Sequence, residues 1–235
     1  MYRVSALALL ALTAACSDDD GTTPSEQTTS VKVIHAVADA PAVNVRVDEG
    51  ANAITGLQFG QTAPVVAGQY LQIPAGLRRI RVLVGTTAVI DATPTLEAGR
   101  NYTILATGRA AGGAAIAPLV LTDNVSAPAA GNIRVRIVHG AATVPNVDVY
   151  VGAAGQALPA TAALTNVPFR GAAYLPEVPA GNYRVCVVLA GAGTAGGCAI
   201  DVTTGPIVAG VVATAVALDP APGAQAPGAL LTIDR

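Results

Sequence analysis

The 235-residue sequence predicts an all-β protein, with two tandem immunoglobulin-like β-sandwich domains of about seven strands each. Three observations carry that expectation. Apolar residues alternate with polar ones at period two, no stretch holds a helical period, and most of the chain is written twice.

The chain opens with "MYRVSALALLALTAAC", in which Arg3 precedes an apolar run from Val4 to Ala15. A short positive region, a short apolar run and small residues at its end read as a signal peptide over 1–15. The run is too short for a membrane span, which needs about 20 residues. Cys16 directly after Ala14 and Ala15 resembles the lipobox of bacterial lipoproteins, although Thr13 stands where that motif prefers leucine. The resemblance implies a lipidated Cys16, and Ser17 beside it implies the outer rather than the inner membrane. "SDDDGTTPSEQTTS" has no large apolar residue and cannot offset its ordering entropy. It is expected to be a disordered tether over 16–30.

"VKVIHAVADAPAVNVRV" (31–47) then returns as "VRIVHGAATVPNVDVYV" (135–151). Val43, Val45 and Val47 alternate with Asn44, Arg46 and Asp48, as Val147, Val149 and Val151 do with Asp148 and Tyr150, which predicts half-buried strands. Tyr70-Leu71 matches Tyr174-Leu175, and "PAGLRRIRVLV" from Pro74 matches "PAGNYRVCVVL" from Pro179. "LEAGRNYTILA" from Leu96 matches "IVAGVVATAVA" from Ile207, and "LVLTDN" from Leu119 matches "LLTIDR" from Leu230. The copies therefore span 31–124 and 133–235, joined by the Pro/Gly/Ala linker 125–132. Each can bury its own sheet faces, so the expectation is two separate beads.

The opening phrase resembles that of a bacterial surface domain catalogued as domain of unknown function 4397. Its members carry a strand ending Val-His-Ala, a loop with Asp-Ala-Pro, and Val-Asp-Val-Tyr-Val. "IHAVADAPAVNVRV" and "VHGAATVPNVDVYV" each keep part of that motif. The resemblance implies a secreted or anchored β-sandwich, often in tandem, and no activity.

Composition narrows the partners. A net charge of −2 with Lys32 as the only lysine offers no basic footprint for nucleic acid. Aromatic residues make up 3% and tryptophan is absent, which disfavours stacking platforms for sugars and bases. No motif asks for a cofactor or a metal.

Four sets of residues stand out. His35, with Asp39 four residues on, and His139, with Thr143 in the matching place, are the only histidines. A His–Asp pair beside a nucleophile would make a hydrolase, yet no Gly-x-Ser-x-Gly elbow accompanies it. The simpler expectation is that each ring donates to a loop carbonyl and fixes the turn before Pro41 or Pro145, with a contact from His35, Asp39 or His139 to a ligand or partner as the other reading. Arg79 with Arg81, and Arg134 with Arg136, share strand faces and are candidate contacts to an anionic polymer such as a glycan. Cys186 and Cys198 flank a Gly-rich hairpin loop and are expected to form a disulfide in an exported protein.

The expected function is a lipid-anchored envelope lipoprotein whose sandwiches serve binding, adhesion or scaffolding, without catalysis. Its partners would be the membrane and an envelope protein or glycan. The alternatives are an envelope-polymer hydrolase using His35 or His139, and a passive surface spacer.

Overall fold

The computed structural model describes residues 27–235, so the signal segment, Cys16 and most of the tether lie outside the described residues. Among those described there is no helix; eleven strands lie before residue 124 and nine after residue 131. In chain order the first are β1 (Thr28–Ala36), β2 (Val43–Val47), β3 (Asn52–Leu57), β4 (Thr62–Ala63), β5 (Leu71–Pro74) and β6 (Gly76–Leu77). Next come β7 (Ile80–Val84), β8 (Thr87–Ala92), β9 (Thr95–Leu96), β10 (Asn101–Thr107) and β11 (Ala117–Asp123). The second half holds β12 (Asn132–His139), β13 (Val147–Ala153), β14 (Leu164–Val167), β15 (Ala172–Tyr174) and β16 (Val178–Pro179). It ends with β17 (Tyr183–Leu189), β18 (Ile200–Thr203), β19 (Val212–Leu218) and β20 (Gly228–Ile233).

Each half is a sandwich of two sheets. In the first, the sheet β11-β10-β1-β4, extended by β5 on β1, packs on β3-β2-β7-β8. In the second, β15-β12-β19-β20, extended by β16, packs on β14-β13-β17-β18. The first strand is interior to its sheet and parallel to the penultimate one: Val33 sits opposite Ile104, and Ile137 opposite Ala215. In the constant-type immunoglobulin order, strand A instead heads an ABED sheet. Each half has eight main strands even when the broken neighbour of the first strand is counted once, and the first half adds the short β6–β9 pair. Pro64 ends β4 and Pro176 follows β15; a proline has no N–H for the ladder.

Thr28 to Ser30, read as tether from their polarity, belong to β1. They pair with Pro74, Ile73 and Gln72 of β5, and Thr29 Oγ1 donates to the Arg100 carbonyl at 3.0 Å. Pairing partners far along the chain supply the order that composition did not suggest.

The halves are not separate beads. β1 and β10 are buried on both faces, which is why they read as nearly continuous apolar runs. Val31, Val33 and Ile104 face β2 and β7, while Ile34, Ala36 and Leu105 pack against Val138, Val216 and Leu218 of the second half. The two parallel-paired sheets thus lie back to back, and the molecule is a stack of four sheets.

Candidate functional site

His35, at the end of β1, is buried, with 1% of its surface exposed. Its Nε2 lies 3.0 Å from the Pro41 carbonyl oxygen, which can only accept, so Nε2 carries the proton. Its Nδ1 accepts from the Val37 N–H at 3.3 Å, and the ring stands edge-on to Phe59. Burial pushes the His35 pKa down, against the smaller upward pull of the Pro41 carbonyl. His139 repeats the Nε2 contact, 3.0 Å from the Pro145 carbonyl, and its ring is edge-on to Phe169, but its buried Nδ1 has no hydrogen-bond partner. The backbone brackets are the same, since His35 N–H donates to Gln61 and His139 N–H to Gly171. Each imidazole therefore holds the loop that leads into the next strand.

Asp39 does not reach His35. Its carboxylate accepts from the Ala110 and Ala111 N–H groups at 2.8 and 3.1 Å and pairs with Arg109 at 3.3 Å. Burial alone would raise its pKa, but these donors outweigh it and hold the carboxyl low. The second half makes the same loop-to-loop clamp from the other side. Asp219, after β19, accepts from the Ala142 and Thr143 N–H groups at 3.0 and 2.9 Å. Acid and amide donors have exchanged loops, so a search for a match to Asp39 at Thr143 misses the clamp.

The arginines are occupied. Arg79 grips Asp91 through Nε (2.8 Å) and Nη2 (2.5 Å) and reaches Glu49 at 2.8 Å. Arg81 bonds Glu49 at 3.0 Å and the Asp48 carbonyl. Hydrogen bonds from Arg79 hold the Glu49 and Asp91 carboxyls below their usual range. Arg134 pairs with Glu177 at 2.5 Å and donates to the Ser126 carbonyl at 2.8 Å, tying the linker down. Arg136 shares its strand face, as the i, i+2 spacing implied, but that face points inward: Arg136 is 2% exposed. It offers nothing to a polymer in solution because the first half covers it.

Cys186 and Cys198 form a disulfide with Cα atoms 5.4 Å apart. They are not register partners, for Asp201 sits opposite Cys186 and Cys198 lies in the loop ahead of β18. The bridge packs with Tyr150, Val188, Leu158 and Ala162 beneath the long β13–β14 loop. Arg81 occupies the corresponding place in the first half, where the β2–β3 loop is short.

A buried polar network between the halves escaped the sequence reading. Lys32 Nζ donates to Asp234 Oδ1 at 2.8 Å and to the Ile233 carbonyl at 2.6 Å. Reciprocally, Arg136 Nη2 meets Asp123 Oδ1 at 2.7 Å. Thr214 Oγ1 donates to Asp234 at 2.6 Å, and Thr103 Oγ1 and Tyr70 OH each donate to Asp123 at 2.7 Å. Lys32 also lies 4.7 Å from the Tyr70 ring centroid, and Arg136 5.5 Å from that of Tyr174. Burial first, and the Asp123 charge second, push the Tyr70 hydroxyl pKa far up. The signal was present twice. A cation interrupts the apolar strand at Lys32 and Arg136, and an aspartate ends the last strand at Asp123 and directly follows it at Asp234.

Among the described residues no group of three or more His, Cys, Asp or Glu side chains converges as a metal site. Taken together, the two histidines, the Arg79–Arg81 pair and the disulfide lie on different sheets and form no common centre.

The family model "Domain of unknown function (DUF4397)" matches residues 29–150. That is more than half of the chain, and the chain belongs to this family. No curated protein matches it. Among solved structures it is similar to one titled "The Bacillus anthracis TIE protein", at 9% identity and a TM-score of 0.27. That match covers 86% of this chain, which spans only 34% of the other.

Proposed function

We propose that this DUF4397 member is a non-catalytic lipoprotein of the cell envelope, anchored through Cys16, whose sandwich faces and loops bind or scaffold another surface component. One observation carries the reading. The only two imidazoles donate to the Pro41 and Pro145 carbonyls, and the neighbouring Asp39 and Asp219 carboxylates are taken up by backbone amides. A hydrolase of the His–Asp type needs a base within reach of a nucleophile, whereas the basic Nδ1 of His35 is taken by the Val37 N–H and that of His139 is buried without a hydrogen-bond partner, in a ring 1% exposed. The signal segment and the polar tether support the envelope location.

Crosslinking in intact cells, with the tagged full-length chain and a Cys16→Ala control, tests the proposal. A saturable crosslink to one envelope component, lost or redistributed in the control, is the expected result. Diffuse crosslinks alone would overturn it in favour of a passive spacer.

A further inference from the structure

Between the two sheets of the second half lies a cavity of about 350 Å³. The corresponding space in the first half, bounded by Val33, Val45, Val82 and Ile104, is only about 10 Å³. The register explains the difference. Tyr102 and Ile104 stand on β10 opposite Val31 and Val33, and both fill the first core. On β19 the residues opposite Val135 and Ile137 are Ala213 and Ala215. Of these two alanines Ala215, which stands where the first half has Ile104, lines the cavity, and the surrounding sheets have not closed over the space.

The lining is aliphatic. Ile137, Val149, Val187, Ile200 and Leu231 form the walls, with no charged side chain, no aromatic ring, and Thr204 as the single polar side chain. The mouth is apolar too: Val202, Val208 and Leu231 are 38%, 67% and 44% exposed. An apolar rim continuous with an apolar interior fits an occupant whose hydrocarbon part passes through the opening. The Thr204 hydroxyl accepts from the Tyr183 N–H at 3.0 Å, which leaves its own proton to donate at the entrance. A charged group carried inside would find no partner.

We propose that the second sandwich binds a single aliphatic chain of a neutral amphiphile, held between β13, β17 and β19 and entering past Val202, Val208 and Leu231. This site is separate from the surface-binding reading above and does not depend on it. Walls built from branched aliphatic side chains favour a chain over a flat ring. The volume lies in the range of natural small-molecule pockets, roughly 300–1,000 Å³.

The test is a calorimetric titration of the full chain, carrying Cys16→Ala so that no acyl chain of its own competes, with 1-hexanol through 1-dodecanol. Affinity should tighten about fourfold per added methylene until the cavity is full. Ala215→Ile, which restores the first half's residue, should weaken octanol binding at least about tenfold while leaving the melting temperature equal or higher. Affinity independent of chain length, or unchanged in Ala215→Ile, overturns the proposal. Should that variant fail to fold, methyl NMR of the Cys16→Ala chain decides. Octanol must shift Ile137 and Ile200 while leaving Val33 and Ile104 in place, and shifts confined to other residues overturn the site. A further arm adds phosphatidylcholine vesicles. Vesicles that by themselves, without octanol, shift the Ile137 and Ile200 methyl signals assign the chain to a membrane lipid, and vesicles that leave them in place assign it to a soluble amphiphile.

Discussion

In the first half the strand parallel to β1 carries Tyr102 and Ile104 into the core, and Tyr102 OH accepts from the Glu97 N–H at 3.0 Å. In the second half Ala213 and Ala215 stand at the same registers, and the core is open. On the reverse side of those strands the halves agree. Lys32 answers Arg136, Thr103 answers Thr214, and Asp123 answers Asp234, each bonded within the shared network. The difference teaches that one scaffold is held by its back faces and varied on its front faces. The outer sheets vary as well: a charge ladder of Arg79, Asp91, Glu49 and Arg81 covers one, and a disulfide under a loop braces the other.

The largest effect should come from breaking what the halves share. Lys32→Ala leaves Asp234 buried without its cation and should cost about 3–5 kcal/mol, read by urea unfolding. Arg136→Ala should cost a similar amount by stranding Asp123. If the pairs serve register more than stability, the double variant Lys32→Met/Asp234→Leu should recover most of the loss. A Lys32→Ala protein as stable as the parent would show that the halves do not rely on each other. Next comes a transplant of the difference in cores. Ile104→Ala should open the first core and cost about 2–5 kcal/mol. A loss well under 1 kcal/mol would mean that the first sandwich collapses around the vacancy as the second has not.

The sandwich class was legible in the alternation of Val43, Val45 and Val47, because one face of β2 meets a core and the other does not. β1 was harder. Its alternation is hidden since both faces are buried, and only Lys32 betrays which residues turn to the other half. Parallel pairing of β1 with β10 leaves no local mark, because partners so far apart share no turn chemistry. The histidine clamps were legible as strand-end donors before a proline. Their reach to Pro41 and Pro145 agrees with the spacing, whereas the swap of Asp39 for Asp219 across loops depends on tertiary proximity. The cavity too could be read only after the register was known, when Ala215 falls opposite Ile137.

The disulfide gives a further test of the asymmetry. Removing it by Cys186→Ser with Cys198→Ser frees a loop of 12 residues and should cost about 3 kcal/mol on the chain-entropy model. Reducing agent should lower the unfolding midpoint of the parent and leave that of the double variant unmoved. A midpoint indifferent to reductant in the parent would mean that the covered loop, with Tyr150 and Leu158, already supplies the order.

The smallest effect is set by pH. His35 is held neutral by burial, so its folded pKa lies below the ordinary 6.5. Between the folded value and 6.5 the unfolded chain binds more protons at this ring, so stability rises with pH there. His35's contribution is therefore complete above about 6.5 and is lost as pH falls through the folded value. His35→Gln keeps a side-chain donor for the Pro41 carbonyl but cannot titrate. Its stability, measured by urea unfolding from pH 7.5 down to 5, should fall less steeply than the parent's. The carboxylates give the control: Asp39 and Asp148 are held low by backbone donors, so their loss belongs to lower pH and should be the same in both proteins. Parallel curves for parent and variant above pH 5 would mean that the ring titrates alike in the folded and unfolded chains, and a parent that falls less steeply than the variant would mean that its folded pKa is raised. Its bond to Pro41 would then belong to an imidazolium, and the clamp would strengthen with acid instead of weakening.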